Sequence, residues 1–368
     1  MAFEIAFSPR ARKSPYFDAT VAAGVKAFSI YNHTYFPMSY GSMEEEYWRL
    51  INDVAVWDVS CQRQIEIKGP DAAELAQLLC ARDLSTTEIG QGKYVPMCDH
   101  KGRLLNDPLL LRVDNDRWWF SIADVDMLIW CRGIGAERGF DVAINELDVA
   151  PLAVQGPKAE HVVADIFGDW IRDIRFFRYA PAEIDGIKLQ IGRAGWSTKG
   201  GFELYLETTN RGHDLWNMVM EAGAPHDIGP GTPNHMERIE SGFFSLRTDT
   251  DDETDPFEVR LGKYVSDNAD IEYLGQEALA AKREAGLERE LVGVRIEGAR
   301  RPPNTKPIPL HGNDGVAGRV RSMTWSPRLR SMIALAMVEV PYNRIGTELK
   351  METGEGFMSA TVTDLPFI

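Results

Sequence analysis

The sequence is short of cysteine, of positive charge and of long apolar runs, and each shortage closes off a class of protein. Four cysteines (Cys61, Cys80, Cys98, Cys131) stand in 368 residues, with no C-x-x-C spacing and no Cys/His group at zinc-finger spacing. A disulfide framework and a metal site are therefore not expected, and the thiols read as reduced and mostly buried, as in a cytoplasmic protein. Lys+Arg number 40 against Asp+Glu 55, a formal charge of −15. A surface that tracks phosphates needs clustered positive charge, so no nucleic-acid partner is expected, although a local basic cleft for a small anion stays open. Nowhere do eighteen apolar residues follow one another, and the opening stretch MAFEIAFSPRARKSPYF has no apolar run of signal-peptide length. No membrane association and a cytosolic location are the expectation. Also missing are G-x-x-x-x-G-K-[ST], H-E-x-x-H and G-x-S-x-G.

What is present is an ordinary globular composition, 44% hydrophobic and 26% charged, in a chain too long for one core. Gln64 to Lys68 alternates apolar and polar residues and ends at Gly69-Pro70, the pattern of a strand. Asp71 can cap a helix through Leu79. Further strands are predicted at Tyr94 to Cys98, Leu104 to Val113, Trp118 to Ala123, Asp141 to Ile144 and Leu152 to Gln155. Ala182 to Arg193 reads as a hairpin turning at Asp185-Gly186. Helices are predicted from Asp124 towards Glu137, after Gly156-Pro157, over Gly212 to Ala222, over Pro233 to Ser245 and near Gly275 to Ala285. Thr248 to Thr254 is acidic and irregular. Beyond about 285 the chain is almost all short strands, at Leu291 to Ile296, Gly315 to Met323, Ile333 to Val338 and Thr347 to Val362. This predicts a region 1–285 of two interleaved α+β subdomains and a β-barrel-like domain over 286–368. The absence of regular βαβ alternation argues against a doubly wound parallel sheet.

The chemistry is carried by acids and aromatics at strand ends. Asn106-Asp107-Pro108 interrupts an apolar run, where an acid must be paired, solvated at a cleft or functional; a plain turn or bulge is the alternative. In Gly200-Gly-Phe-Glu-Leu-Tyr-Leu-Glu207, Glu203 and Tyr205 share one strand face, and Phe202, Leu204 and Leu206 the other. An acid and a phenol after two glycines suit a flat, donor-rich heterocycle, and equally an ordinary half-exposed strand face. The Gly-rich segment Gly192 to Gly201 follows a hairpin and does not match G-x-G-x-x-G, which argues against a phosphate cradle. His100 and His235 read as surface or polar-network residues rather than catalytic bases.

Several stretches, in order from about residue 54 to the C-terminus, resemble the glycine-cleavage T-protein family of folate-dependent aminomethyltransferases. They are Val56-Trp-Asp-Val-Ser60 with Ile65 to Ala72; Lys93-Tyr-Val-Pro96 with Gly102 to Asp107; Arg193 to Leu204; Glu237-Arg-Ile-Glu-Ser-Gly242; Tyr273 to Leu279; and the tail from Ser326-Pro-Arg-Leu329 to Pro366-Phe367. Ser14 to Thr20, Ser29-Ile-Tyr-Asn32, Leu105-Asn-Asp-Pro108, Val154-Gln-Gly-Pro-Lys158 and Trp196 resemble the branch that demethylates dimethylsulfoniopropionate.

That resemblance implies a three-domain α+β clover-leaf around a channel holding tetrahydrofolate, with a β-rich C-terminal domain. It implies transfer of a methyl group from a small sulfonium or ammonium carboxylate to N5 of the folate. Glu203 then meets the pterin N–H edge, with Tyr94, Ser121 and Tyr205 around the cofactor, Asp107 near the reacting atoms and Trp196 facing the donor. Such a transfer needs alignment and a discharged cation, not a Cys or Ser nucleophile. The partner is a small-molecule donor, and a homodimer is compatible with the reading. Two departures keep alternatives open. Asn106 replaces the first acid of the family's acidic pair, which argues against the aminomethyltransferase of glycine cleavage. Arg247 stands where many members have no cation, and points either to a donor carboxylate, to another N- or O-methyl donor, or to nothing. A folate-binding iron–sulfur assembly factor is a further alternative, weakened by the lack of a cysteine in Trp196 to Gly201.

Overall fold

In a computed structural model, which describes residues 7–368, the hairpin expected around Asp185-Gly186 forms the edge of a six-stranded sheet. Both turn residues have positive φ, 49° and 77°, the backbone that matches the right-handed twist of the flanking strands. The strand order is Tyr179–Ile184, Ile187–Gly192, Gly201–Leu206, Ala150–Gln155, Val54–Asp58 and Ile228–Pro230. All neighbours are antiparallel except the last pair. One face carries Val56, Leu152, Val154, Phe202, Leu204 and Leu206 into an apolar core shared with helices Ala159–Phe167 and Gly212–Gly223, through Val162, Val163, Leu215 and Val219.

A second, five-stranded sheet runs in the order Ala143–Leu147, Arg63–Lys68, Arg117–Ile122, Leu109–Asp114, Gln91–Tyr94. Its Leu111 and Trp119 pack with Tyr179 and Tyr205 of the first sheet in a separate cluster. The face of Gly201–Leu206 that bears Glu203 and Tyr205 is therefore covered by a second sheet and not half-exposed: Glu203 is 4% and Tyr205 1% exposed. Both sheets belong to one compact unit, formed by the described part of Met1–Leu75 with Thr87–Lys93 and Pro108–Pro233.

The other unit comprises Ala76–Thr86, Tyr94–Asp107 and Asn234–Ile368. Its β-rich end is a closed barrel in the order Arg289–Ile296, Ser331–Glu339, Gly315–Ser326, Ile308–Gly312, Glu348–Thr353 and Gly356–Thr363, the last pairing back to the first. Closure removes the exposed strand edges of an open sheet, and Val294, Leu310, Val320, Ala336, Leu349 and Val362 fill the interior. Helix His235–Glu240 is tied to the barrel by charge. The Arg238 guanidinium donates to Asp249 Oδ2 (2.7 Å) and Ser322 Oγ (2.8 Å), and Ser322 donates to Asp249. Arg328 pairs with Glu240. Asp249 and Glu240 are each 0% exposed, so these are fully desolvated, fully paired charges.

Several expected elements are cut where the backbone cannot continue. The strand predicted over Tyr94 to Cys98 is broken around Val95-Pro96, and the one over Leu104 to Val113 at Asp107-Pro108; proline has no N–H to give the ladder. The helix predicted from Asp124 begins at Leu128, whose N–H is taken by Asp126 Oδ1 (2.9 Å). The helix predicted over Pro233 to Ser245 is only His235–Glu240. Gly242, at φ 71°, ends it, with Phe243 N–H to Arg238 O (2.8 Å) and Gly242 N–H to Ile239 O (3.0 Å), the paired bonds of a glycine C-cap. The strand over Thr347 to Val362 is a hairpin. Residues 248–254 are irregular as expected, and all four cysteines are buried and form no disulfide.

Candidate functional site

Glu203 is held by polar neighbours and by no cation among the described residues. Its Oε2 accepts from the Tyr205 hydroxyl (2.8 Å) and its Oε1 from Gln62 Nε2 (3.3 Å). The network continues outward: Ser121 Oγ donates to Gln62 Oε1 (3.2 Å) and accepts from Gln64 Nε2 (3.0 Å). Pairing of Arg63–Lys68 with Arg117–Ile122 sets Gln64 opposite Ser121, so adjacent strands deliver these groups to one place. Burial pushes the Glu203 carboxyl above its ordinary range, and the bonds from Tyr205 and Gln62 pull the other way without cancelling it. A carboxylate has about four acceptor sites, and Glu203 uses two of them on the protein. It is a buried acceptor suited to paired N–H donors from a ligand.

Asp107 lies in the other unit, half-buried between strands Leu104–Asn106 and Leu109–Asp114. The Tyr94 hydroxyl donates to its Oδ2. Asn106, 2% exposed, turns its Oδ1 onto the Asp107 backbone N–H (2.9 Å). Tyr94 is in turn braced: Tyr264 meets it edge-on at 5.5 Å and 85°, Arg82 Nη1 donates to its carbonyl (2.9 Å), and the Arg82 guanidinium lies 4.7 Å over the Tyr264 ring.

The predicted residues thus fall into separate groups. Glu203, Tyr205 and Ser121 are joined in one network, and Tyr94 and Asp107 in another. Trp196 is half-buried on the loop leading to strand Gly201–Leu206. Arg247 is exposed, its backbone left-handed (φ 63°) and its N–H given to Thr250 Oγ1 (2.7 Å). Sequence reasoning passed over Gln62, in the bend before strand Arg63–Lys68, and Gln64 on that strand, whose signal was two glutamines two residues apart at its start, and Arg82 and Tyr264, which carried none. His235 is half-buried, its pKa lowered to about 4 chiefly by loss of solvent, with Nε2 facing Met323 O (3.4 Å); it belongs to a polar network. Among the described residues, no group of His, Cys, Asp and Glu is arranged to hold a metal, and no helix is long and apolar enough to cross a membrane.

Comparison with known proteins gives this arrangement a family. The GCVT N-terminal domain matches residues 16–268, and the glycine cleavage T-protein C-terminal barrel domain matches 289–368. A dimethylsulfoniopropionate demethylase of Ruegeria pomeroyi is 40% identical over 357 residues, 97% of each chain. An aminomethyltransferase of Bacillus mycoides is 26% identical over 97% of this chain and 98% of its own. The crystal structure of glycine cleavage system aminomethyltransferase T from Bartonella henselae matches with a TM-score of 0.87 at 23% identity, over 97% of this chain and 98% of its own, which shows the same fold. The chain belongs to the glycine-cleavage T-protein family.

Proposed function

We propose that the chain is a tetrahydrofolate-dependent demethylase that moves a methyl group from dimethylsulfoniopropionate, or a similar small sulfonium or ammonium carboxylate, to N5 of tetrahydrofolate. The observation that carries the choice of donor is the full-length likeness to a dimethylsulfoniopropionate demethylase, 40% identical where an aminomethyltransferase is 26% identical. The observation that supports the folate is Glu203, a buried acid with acceptor sites to spare and no cation beside it. A pterin edge presents the paired N–H donors that such an acid lacks, so the residues fit the group.

Bound tetrahydrofolate supplies the nucleophilic nitrogen that accepts the methyl group. The chain's own share is alignment and charge. Glu203 fixes the orientation of the ring by accepting its N–H bonds, with Tyr205 and Ser121 holding the polar frame around that acid. Asp107, kept in place by the Tyr94 hydroxyl, offers a carboxylate to a cationic donor. Trp196 offers an aromatic face, worth about 0.5–2 kcal/mol to such a cation. The exposed Arg247 guanidinium, with no carboxylate partner among the described residues, is assigned the donor's own carboxylate. Holding donor and acceptor in line supplies most of what a displacement at carbon needs.

The reading is tested by incubating the pure protein with tetrahydrofolate and, separately, dimethylsulfoniopropionate, dimethylglycine, betaine and methoxyaromatic compounds. 5-Methyltetrahydrofolate is expected from the sulfonium. Its formation from another donor alone reassigns the substrate, and its absence with every donor sinks the demethylase reading. Asn106 argues against aminomethyl transfer, because its side-chain oxygen is spent on the Asp107 backbone and no second acid stands there.

A further inference from the structure

Two of the four glycines around Trp196, Gly195 and Gly201, are explained by a single buried side chain. Gln155 ends strand Ala150–Gln155 and is 1% exposed. Its carboxamide runs into the loop that joins strands Ile187–Gly192 and Gly201–Leu206. Nε2 donates to Ala194 O (3.0 Å) and to Phe202 O (3.4 Å), and Oε1 accepts from Ser197 Oγ (2.8 Å). Next to it, Gly156 N–H donates to Gly200 O (3.0 Å). A Cβ on Gly195 would lie 2.1 Å from both Nε2 and Oε1, and one on Gly201 2.6 Å from Nε2 and 2.4 Å from Val154 O. Neither position admits a side chain unless the carboxamide abandons its bonds. The glycine-rich segment is therefore not a cradle for a phosphate. It is a sleeve around an amide.

The three atoms that Gln155 holds lie on either side of Trp196 and immediately before Glu203. Gln155 thus adds three side-chain bonds to the backbone bonds at the ends of this loop, and a loop tied from beneath holds its side chains in fewer positions. We propose that Gln155 is the positioning residue of the Trp196 loop, fixing residues 194–202 so that the indole is presented to the methyl donor. This rests on the demethylase reading for the identity of what Trp196 meets, though not for the existence of the clamp.

The test uses the full-length protein and two separate readouts. Arg193, at the edge of the clamped segment, and Lys199, inside it, are tryptic sites. In Gln155→Leu and in Gly195→Ala, cleavage after Lys199 is expected to rise about tenfold over the wild type, because local opening exposes the site, while cleavage elsewhere is unchanged. In the methyl-transfer assay both variants are expected to raise the donor KM about tenfold, with tetrahydrofolate affinity changed less than about threefold, since misplaced contacts lose alignment without losing the pterin site. A merely structural glutamine would lower the yield of folded enzyme and leave the donor KM alone. Should Gln155→Leu not fold, Ser197→Ala removes one bond at a half-buried position and is expected to show the same changes on a smaller scale. Folded variants with wild-type cleavage at Lys199 overturn the clamp. Faster cleavage with an unchanged donor KM overturns the positioning role. If the wild type demethylates nothing, the cleavage arm still decides the clamp, so the two failures are told apart.

Discussion

Glu203 and Asp249 are both acids with almost no exposed surface, 4% and 0%, and they have opposite surroundings. Asp249 is clasped by Arg238 and Ser322, and nearby Glu240 by Arg328. Glu203, in the other unit, has a phenol and an amide for company and a carboxyl pushed above its ordinary range by burial. A buried charge left unpaired is costly; Asp249 and Glu240 meet that cost with cations, whereas Glu203, like Asp58 with its serines, is held by neutral donors. The contrast sets a cation-paired acid against one held only by neutral groups, and it sharpens into measurements.

The largest effect should come from breaking a paired site. Arg238→Met strands Asp249 without its cation and should cost about 3–5 kcal/mol, read as a lowered denaturant midpoint. A midpoint equal to wild type would remove Arg238 from the structural class. Next is Glu203→Gln, for which tetrahydrofolate affinity should fall about a hundredfold, about 2.7 kcal/mol, in calorimetric titration, with no loss of stability. Folded Glu203 keeps its proton to higher pH than the ordinary 4.5 of the unfolded chain. Between those two values the native state carries the extra proton, and wild-type stability falls as pH rises. Glu203→Gln escapes that loss, so its melting temperature should gain on the wild type as pH climbs. A gap that narrows instead contradicts the assignment.

Smaller effects follow in the Asp107 group. Tyr94→Phe removes the hydroxyl from Asp107 and should lower kcat about tenfold, about 1.4 kcal/mol, without unfolding the protein; an unchanged kcat would leave Asp107 without a role for its tether. Smallest is Arg247→Ala, expected to change stability by no more than about 0.5 kcal/mol at an exposed position. A larger loss in the melting curve would move Arg247 from the chemistry to the framework.

Much of this was readable from the chain. Alternation placed Glu203 and Tyr205 on one face and Phe202, Leu204 and Leu206 on the other, and Asp185-Gly186 announced its turn. The change of texture near residue 285 preceded a barrel that begins at Arg289. What periodicity could not supply was burial of the second face, since that depends on another sheet closing over Tyr205. Nor could it supply the route from Ser121 to Glu203, because Gln62, which joins them, lies 141 positions from Glu203 in sequence. Pro96 was visible, yet the apolar residues around it suggested an unbroken strand, whereas Asn106-Asp107-Pro108 already pointed to a turn or bulge inside the longer one. The run Arg238-Ile-Glu240 was recognisable as a family pattern, while its purpose depended on Ser322, 84 residues away. Local order is written locally; ion networks and sheet packing are not.

The salt bridges beneath the barrel have a consequence for inheritance. Sequence families divide the chain between residues 268 and 289, as though the barrel were a part that could be gained or lost. Arg238 and Glu240 lie before that seam, and Ser322 and Arg328 after it. A gene cut at the seam would yield a fragment with Glu240 parted from Arg328 and Arg238 and Asp249 stripped of their serine. Each piece would then carry polar groups whose partners lie on the other.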